Sequence, residues 1–373
     1  MVSLLPSQSS DIFELTLEAS IEPRWAVLAE GADAVRGIKF DPPISFLPFL
    51  IYEYGLGELT PYISNLYTLI IQREGVNWQR LRGTPAAVSK GLGWISQSGT
   101  LQDAWHGRAF WNSAQLTLDA LPSRDSPDLE QIEGITRLSL PLRSHLRRVV
   151  HGYDVGACEA DRSFFDGCML DRESGVVATN AETLWSFGRQ TEMVHMLTEQ
   201  EGLALGNWLA PVDDTGLMWA SMQYPWVTAT FQWANNPASQ RRALMAAWFP
   251  QRAIYLTFKT VAGAVIGHRR ARANRVVRES SEGLYSIEGN SYRPEAGGPN
   301  VYIEAMTDFG DASDIVAASI ELTIGPTLSS GVKAGKLWLS PDELVGGSSL
   351  ALGAVSLPLR KTVRDQVKIL LRF

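Results

Sequence analysis

Three groups of residues have a spacing that chemistry can use. Glu192, His195 and Glu199 stand at i, i+3 and i+7. On a helix they share one face and offer two carboxylates and an imidazole, a donor set that suits a divalent metal. The same spacing also describes a solvated helix face. Asp308, Asp311 and Asp314 recur every three residues. A calcium loop wants oxygen ligands at alternate positions and a closing Glu, so this run reads as a solvated turn. Carboxylate pairs such as Glu53/Glu58 and Asp213/Asp214 serve glycoside hydrolysis only at set distances in space, which sequence spacing does not fix.

The remaining chemistry-bearing signatures are incomplete. The histidines are His106, His145, His151, His195 and His268, and none sits in an HExxH pattern. There is no GxSxG elbow for acyl transfer and no GxxxxGK[ST] phosphate loop. Gly91-Leu-Gly93 lacks the third glycine and the preceding strand of a dinucleotide turn. Asp308-Phe-Gly310 spells a kinase triplet, without the glycine-rich loop or HRD segment that would give it meaning. Two cysteines, Cys158 and Cys168, are too few for a disulfide scaffold and fit assembly in a reducing compartment. The expectation is a protein that is not an enzyme, with no catalytic residue, cofactor or metal.

Partners are the alternative to chemistry. The chain of 373 residues is acidic, with 33 Lys+Arg against 40 Asp+Glu and a net charge of −7. Phosphate backbones are met by clustered cations, so no nucleic acid is expected. Two basic segments go against the balance: Arg143, Arg147 and Arg148 with His145, and Arg269, Arg270, Arg272, Arg275 and Arg278, which run with no acid among them. In an acidic chain these suit an acidic partner surface or an exposed face. Tryptophan is abundant at 12 residues, and its large ring with a polar handle favours interfaces. The opening MVSLLPSQSSDIF has no basic segment before an apolar core, so no signal peptide is expected. The best apolar run, Ile44 to Tyr54, is too short for a bilayer.

These residues need a frame. Apolar residues make up 45% and charged residues 20%, which suits folded domains, about two or three at this length. Helical spacing runs over Ile21 to Val35 with Pro23 in its first turn, and again over Leu47 to Tyr54. Thr60-Pro61 predicts a further helix carrying Tyr62, Leu66, Leu69 and Ile70. Asn77 predicts a helix cap, and Thr84-Pro85 a capped helix to about Trp94. Ala114 to Leu118 alternates as a strand. Ser126-Pro127 and Ser139-Leu-Pro141 each predict a helix start. From Tyr153 to about Phe231 short β-type runs alternate with turns, apart from a short helix over Met193 to Gln200. Pro237 to Trp248 is helical. Strands follow at Ile254 to Phe258, Val301 to Ala305, Ser319 to Ile324 and Lys336 to Leu339. Ser139-Leu-Pro-Leu-Arg143 recurs as Ser356-Leu-Pro-Leu-Arg360 and reads as two helix starts. The fold class is α+β and multidomain. A mainly helical region (1–150) leads to a β-rich middle (151–236) and a β-sandwich-like C-terminal domain (237–373).

An ordered set of segments carries a resemblance. Leu47-Pro-Phe-Leu-Ile-Tyr-Glu-Tyr54, Trp78-Gln-Arg-Leu-Arg-Gly-Thr-Pro-Ala-Ala-Val88 and Gly91-Leu-Gly-Trp94 resemble the tail protein I family of contractile-tailed phages. Leu138 to Ser144, His151-Gly-Tyr-Asp-Val155, Asp171-Arg-Glu-Ser-Gly175 and Trp185-Ser-Phe-Gly-Arg189 resemble its longer members. The match covers about two fifths of the chain, from Phe46 to Arg189, and nothing after Ala234. Short members of the family end where this chain is half done.

The resemblance implies a structural baseplate wedge subunit. Its partners would be two copies of a larger J-type baseplate protein, with tail fibre and central hub or sheath proteins at the margins. It would be assembled in the host cytoplasm and reside in the virion tail. The family brings no catalytic residue. Interface candidates are Trp25, Phe46, Phe49, Tyr52, Tyr54, Tyr62 and Tyr67, although aromatics at helical spacing more often pack in a core, together with Arg269, Arg270 and Arg272. The alternative is a receptor- or glycan-binding tail protein, using Trp208, Trp219 or Trp226 as stacking faces.

Overall fold

A computed structural model describes residues 11–37, 42–103, 111–154, 156–157, 168–169, 173–211, 237–333 and 335–373. The architecture is α+β, with helices towards the N-terminus and several sheets in the remainder. The chain forms two compact units, Met1–Ser98 with Glu130–His145 and Gly99–Leu129 with Leu146–Phe373.

The helical unit contains α1 (Ile12–Gly37), α2 (Leu47–Glu53), α3 (Leu66–Ile71), α4 (Glu74–Leu81), α5 (Pro85–Trp94) and most of α6 (Asp128–Ser139). Helix α1 starts well before Ile21, because the Asp11 carboxylate accepts the Phe13 N–H at 2.9 Å and caps it. Pro23 therefore lies inside the helix and not in its first turn. Thr60-Pro61 opens no helix, and the chain turns until Leu66. Asn77 lies within α4 and not at its cap. Thr84 does cap α5, its hydroxyl accepting the Ala87 N–H at 3.4 Å with Pro85 in the first turn. Leu47, Leu50, Leu56, Leu59, Leu66, Leu69, Ile70 and Trp78 are buried together. Gly134 of α6 faces the Tyr62 ring so closely that a Cβ would lie 2.2 Å from it. Only glycine lets that helix and ring approach.

The other unit is built on sheets. Its strands begin with β1 (Gly99–Asp103), β2 (Ser113–Leu118), β3 (His145–His151), β4 (Gly156–Ala157), β5 (Cys168–Met169), β6 (Val176–Val177) and β7 (Leu184–Met196). Helices α7 (Glu199–Leu205) and α8 (Pro237–Ala247) follow. Next come β8 (Ile254–Lys259), β9 (Val265–Arg270), β10 (Ala273–Glu279), β11 (Tyr285–Ile287), β12 (Asn290–Pro294), β13 (Asn300–Met306) and β14 (Ile315–Ile324). Last are β15 (Thr327–Leu328), β16 (Trp338–Leu339), β17 (Leu344–Val345), β18 (Ser348–Leu359) and β19 (Val363–Arg372). A ten-stranded sheet runs β1-β2-β3-β7-β19-β13-β10-β12-β11 with β6 beside β7, and a five-stranded sheet runs β16-β9-β8-β14-β18.

One apolar core joins the two larger sheets. Val301, Ile303 and Ala305 of β13 and Val367, Ile369 and Leu371 of β19 meet Leu256 and Phe258 of β8 and Ile320 and Leu322 of β14. The alternate residues Tyr302 and Leu370 face the opposite way, into a second cluster with Val277, Ile287 and Tyr292. That period of two is what a pleated strand requires. The sandwich-like reading of the C-terminal half therefore holds.

The division of the chain differs from the expected regions 1–150, 151–236 and 237–373. Strands β1 to β3 belong to the sheet unit, and β7 is hydrogen-bonded in parallel to the C-terminal β19. The described part of the middle thus shares a sheet with the chain's end. Two predicted helices are also corrected. Met193 to Met196 complete β7, whose partner β19 runs alongside as far as Met196, and α7 opens only at Glu199. Ser139 is the last residue of α6, its hydroxyl returned to the Ile135 carbonyl at 2.8 Å. The two Ser-Leu-Pro-Leu-Arg segments are therefore not helix starts. Each precedes a strand, β3 or β19, that lies parallel against β7 on either side.

Candidate functional site

The Arg82-Gly-Thr-Pro85 motif is a joint between helices. Arg82 Nε donates to the Leu138 carbonyl at 2.8 Å, and the Gly83 N–H donates to the Ser139 carbonyl at 2.8 Å. Both satisfy carbonyls that the end of α6 leaves unpaired. The Trp78 indole donates to the Ser139 hydroxyl at 3.0 Å, Arg82 lies over the Trp78 ring at 5.1 Å, and its far side pairs with Glu58 at 3.0 Å. Gly83 has φ +88, where a Cβ is disfavoured. The expected backbone role of Gly, Thr and Pro thus stands. The cationic cap from Arg82, and its partners Glu58 and the Leu138 carbonyl, carried no local sequence signal.

The downstream segments of the resemblance converge in the sheet unit. Arg148 is 1% exposed. Its guanidinium grips Asp154 with both nitrogens, donates to the Ser174 carbonyl at 2.8 Å and to the Ser174 hydroxyl at 2.9 Å. Ser174 in turn meets the Ser186 hydroxyl at 2.8 Å. A Cβ on Gly188 would lie 2.5 Å from the Tyr153 carbonyl oxygen, so the Gly-Tyr-Asp and Trp-Ser-Phe-Gly segments cross in close contact. Arg189 Nε donates to Asp365 at 2.6 Å and Nη2 to the Pro358 carbonyl at 2.7 Å. Burial pushes the Asp365 carboxyl up, and Arg189 only partly offsets it. Arg360 and Thr362 both hold Asp125. Asp171 and Arg172 lie outside the described residues, as does Val155.

These contacts fasten the fold and leave the surface to the aromatic candidates. Phe46, Phe49 and Tyr52, at i, i+3 and i+6, are exposed, the last two at 66% and 80%, and Phe46 and Phe49 touch with ring centroids 5.5 Å apart. Tyr67 is exposed too, while Tyr54 and Tyr62 are half-buried against the helical core. Trp25 lies in α1, but its side chain is outside the described residues. Beyond these, α1 exposes Ile12, Phe13, Leu17 and Leu28. Among the described residues, the exposed large aromatics are Phe13, Phe46, Phe49, Tyr52, Tyr67 and Trp111, all but the last in the helical unit.

The charged candidates are largely used within the chain. The arginine run is dispersed over β9, β10 and the turn between them: Arg269 pairs with Asp311 at 2.8 Å, Arg272 with Glu304 at 3.0 Å and Arg278 with Glu295 at 2.6 Å. Arg269 is buried, whereas Arg270 and Arg275 are exposed. Arg147 pairs with Glu173 at 3.2 Å. Glu192, His195 and Glu199 share no helix face: the first two are on β7, and Glu199 begins α7. Glu192 pairs with Lys368, and His195 with Glu201 at 3.1 Å. No group of three or more His, Cys, Asp or Glu able to hold a metal occurs among the described residues. No described helix is long and apolar enough to cross a membrane. Trp208 lies under Arg241 at 4.4 Å, and Trp219, Trp226, Asp213, Asp214, His106 and Cys158 fall outside the described residues. The chain matches no protein-family model and no curated protein.

Proposed function

We propose that this chain is a structural subunit of a contractile-tail baseplate wedge, as the resemblance implies. Its helical unit binds the larger J-type partners. The observation that supports this is the gathering of exposed aromatic side chains in that unit, above all the Phe46–Phe49–Tyr52 row. Large apolar rings left in water mark surfaces that another protein covers. The motif residues fit the same reading. Arg82, Gly83, Arg148 and Gly188 serve internal joints, which is what a scaffold needs from its most distinctive segments.

Co-expression with the product of the adjacent upstream gene tests the proposal. The wild type is expected to co-purify with that product, and a Phe49→Ser/Tyr52→Ser variant to remain folded and lose it. A folded double variant that binds as well as the wild type would remove the aromatic row from the interface. Binding of glycans by the chain alone would favour receptor recognition instead.

A further inference from the structure

The five-stranded sheet ends on β16, which is two residues long and pairs with β9. Its Leu339 stands opposite His268 of β9. Opposed residues of an antiparallel pair share a face, with Cβ atoms about 5 Å apart, so Leu339 lies beside the imidazole. His268 is 6% exposed and Leu339 is fully buried. Nδ1 of His268 meets the Thr257 hydroxyl at 2.8 Å, and that hydroxyl meets the Thr323 hydroxyl at 2.6 Å. This chain crosses β9, β8 and β14 and brings no charge to the ring. Nε2 is buried too and makes no hydrogen bond of good geometry, although the Pro341 carbonyl lies close by. Strand β16 is otherwise anchored by Trp338, which stacks on Phe258 of β8 with ring centroids 5.8 Å apart.

We propose that β16 is an acid-releasable edge strand: a proton on His268 favours a state in which the Lys336–Glu343 segment leaves β9 and the imidazole reaches water. The charged groups around the ring are engaged elsewhere. Arg269, next in sequence, faces the opposite way and pairs with Asp311 at 2.8 Å. On the His268 face, Lys259 of β8 pairs with Glu321 of β14 at 2.6 Å, and Arg270 is exposed. Past β16, Glu343 holds Lys336 at 2.5 Å and accepts the Ser340 N–H at 2.8 Å, while Asp342 is exposed. Among the described residues no acid pairs with His268.

The direction of the response follows from the burial. A dry imidazole that faces a hydroxyl and no carboxylate is held neutral, because charging it there forfeits hydration without gaining an anion. Burial accordingly pushes His268 below its ordinary value, and the Pro341 carbonyl offsets that only in part. An exposed imidazole titrates at about 6.5. The released state therefore takes up the proton more readily than the closed one. The stability that His268 lends to closure is whole above the exposed value and is lost as pH falls below it. The segment's own ion pair does not give way in this window, because Lys336 and the Ser340 N–H hold the Glu343 carboxyl below the ordinary range.

Amide hydrogen exchange on the full chain, corrected for intrinsic rates, tests this at pH 7.5 and pH 5.5, each with and without low urea. At pH 7.5 the amides of residues 336–343 are expected to exchange faster than core amides of β8 and β14, and with little urea dependence, as a local opening does. At pH 5.5 their opening is expected to rise severalfold, up to about tenfold, the limit set by an exposed imidazole one unit below its own value. His268→Asn, which leaves Thr257 a polar neighbour, is expected to lose that rise. Unchanged opening in the wild type, a rise that survives in His268→Asn, or exchange of the segment only together with the core would each overturn the proposal. Should that variant not fold, the ring signals of His268 in the wild type decide by NMR. They are expected to titrate below the ordinary imidazole range, and titration at or above it would overturn the release.

Discussion

The helical unit and the sheet unit spend their polar side chains differently. Around Arg82 the buried contacts are single hydrogen bonds to helix ends, and much aromatic surface stays outside. In the sheet unit each of three ion pairs has one partner inside: Arg148 with Asp154, Asp365 with Arg189 and Arg360 with Asp125. A buried charge is tolerable only when its partners are fixed in place, so these pairs give the sheet unit a specific structure. The helical unit keeps an uncovered row suited to assembly. Under the proposed function, the difference gives rigidity to one unit and binding to the other.

Substitutions can sharpen or break that contrast, and the largest effect belongs to the sheet unit. Arg148→Ala empties a buried site and leaves the Ser174 carbonyl and hydroxyl without their donor, and is expected to cost about 2–5 kcal/mol, measured by urea unfolding. In the helical unit, Gly134→Ala drives a Cβ into the Tyr62 ring and is expected to cost roughly 1–3 kcal/mol. A neutral Gly134→Ala would mean that this helix and ring do not meet as described. Thr84→Ala removes the cap of α5 and is expected to cost about 1 kcal/mol, visible as a small fall in Tm. Smallest in stability is Tyr52→Ser, expected within about 0.5 kcal/mol of the wild type. If serine there destabilised the isolated chain strongly, the ring would be core, and the contrast between the units would fail.

The sequence made some of this legible and hid the rest for physical reasons. Thr84-Pro85 predicts its helix correctly because capping is local chemistry, and the alternation of Ala114 to Leu118 and Val301 to Ala305 predicts strands because the pleat has a period of two. Met193 to Gln200 misleads because its type is decided by β19, far away in the chain. Ser139-Leu-Pro141 misleads because Ser-Pro spacing opens helices in general, whereas here the serine closes one. The arginine run looks like a basic patch until the turn from β9 to β10 sends Arg269 and Arg272 to separate acids. The aromatic row was legible as a candidate interface, but its exposure was not: helical spacing alone serves core and surface equally. The domain division was hidden for the same reason as the β7 strand, since both depend on pairing with the chain's end.

The central claim is that the helical unit exists to be covered by partner chains in a fixed ratio. Light scattering after size exclusion, on the chain co-expressed with its upstream neighbour's product, tests it most directly. The account predicts one complex whose mass holds one copy of this chain and two of the larger protein. A monodisperse homotrimer of this chain that ignores the neighbour would contradict it.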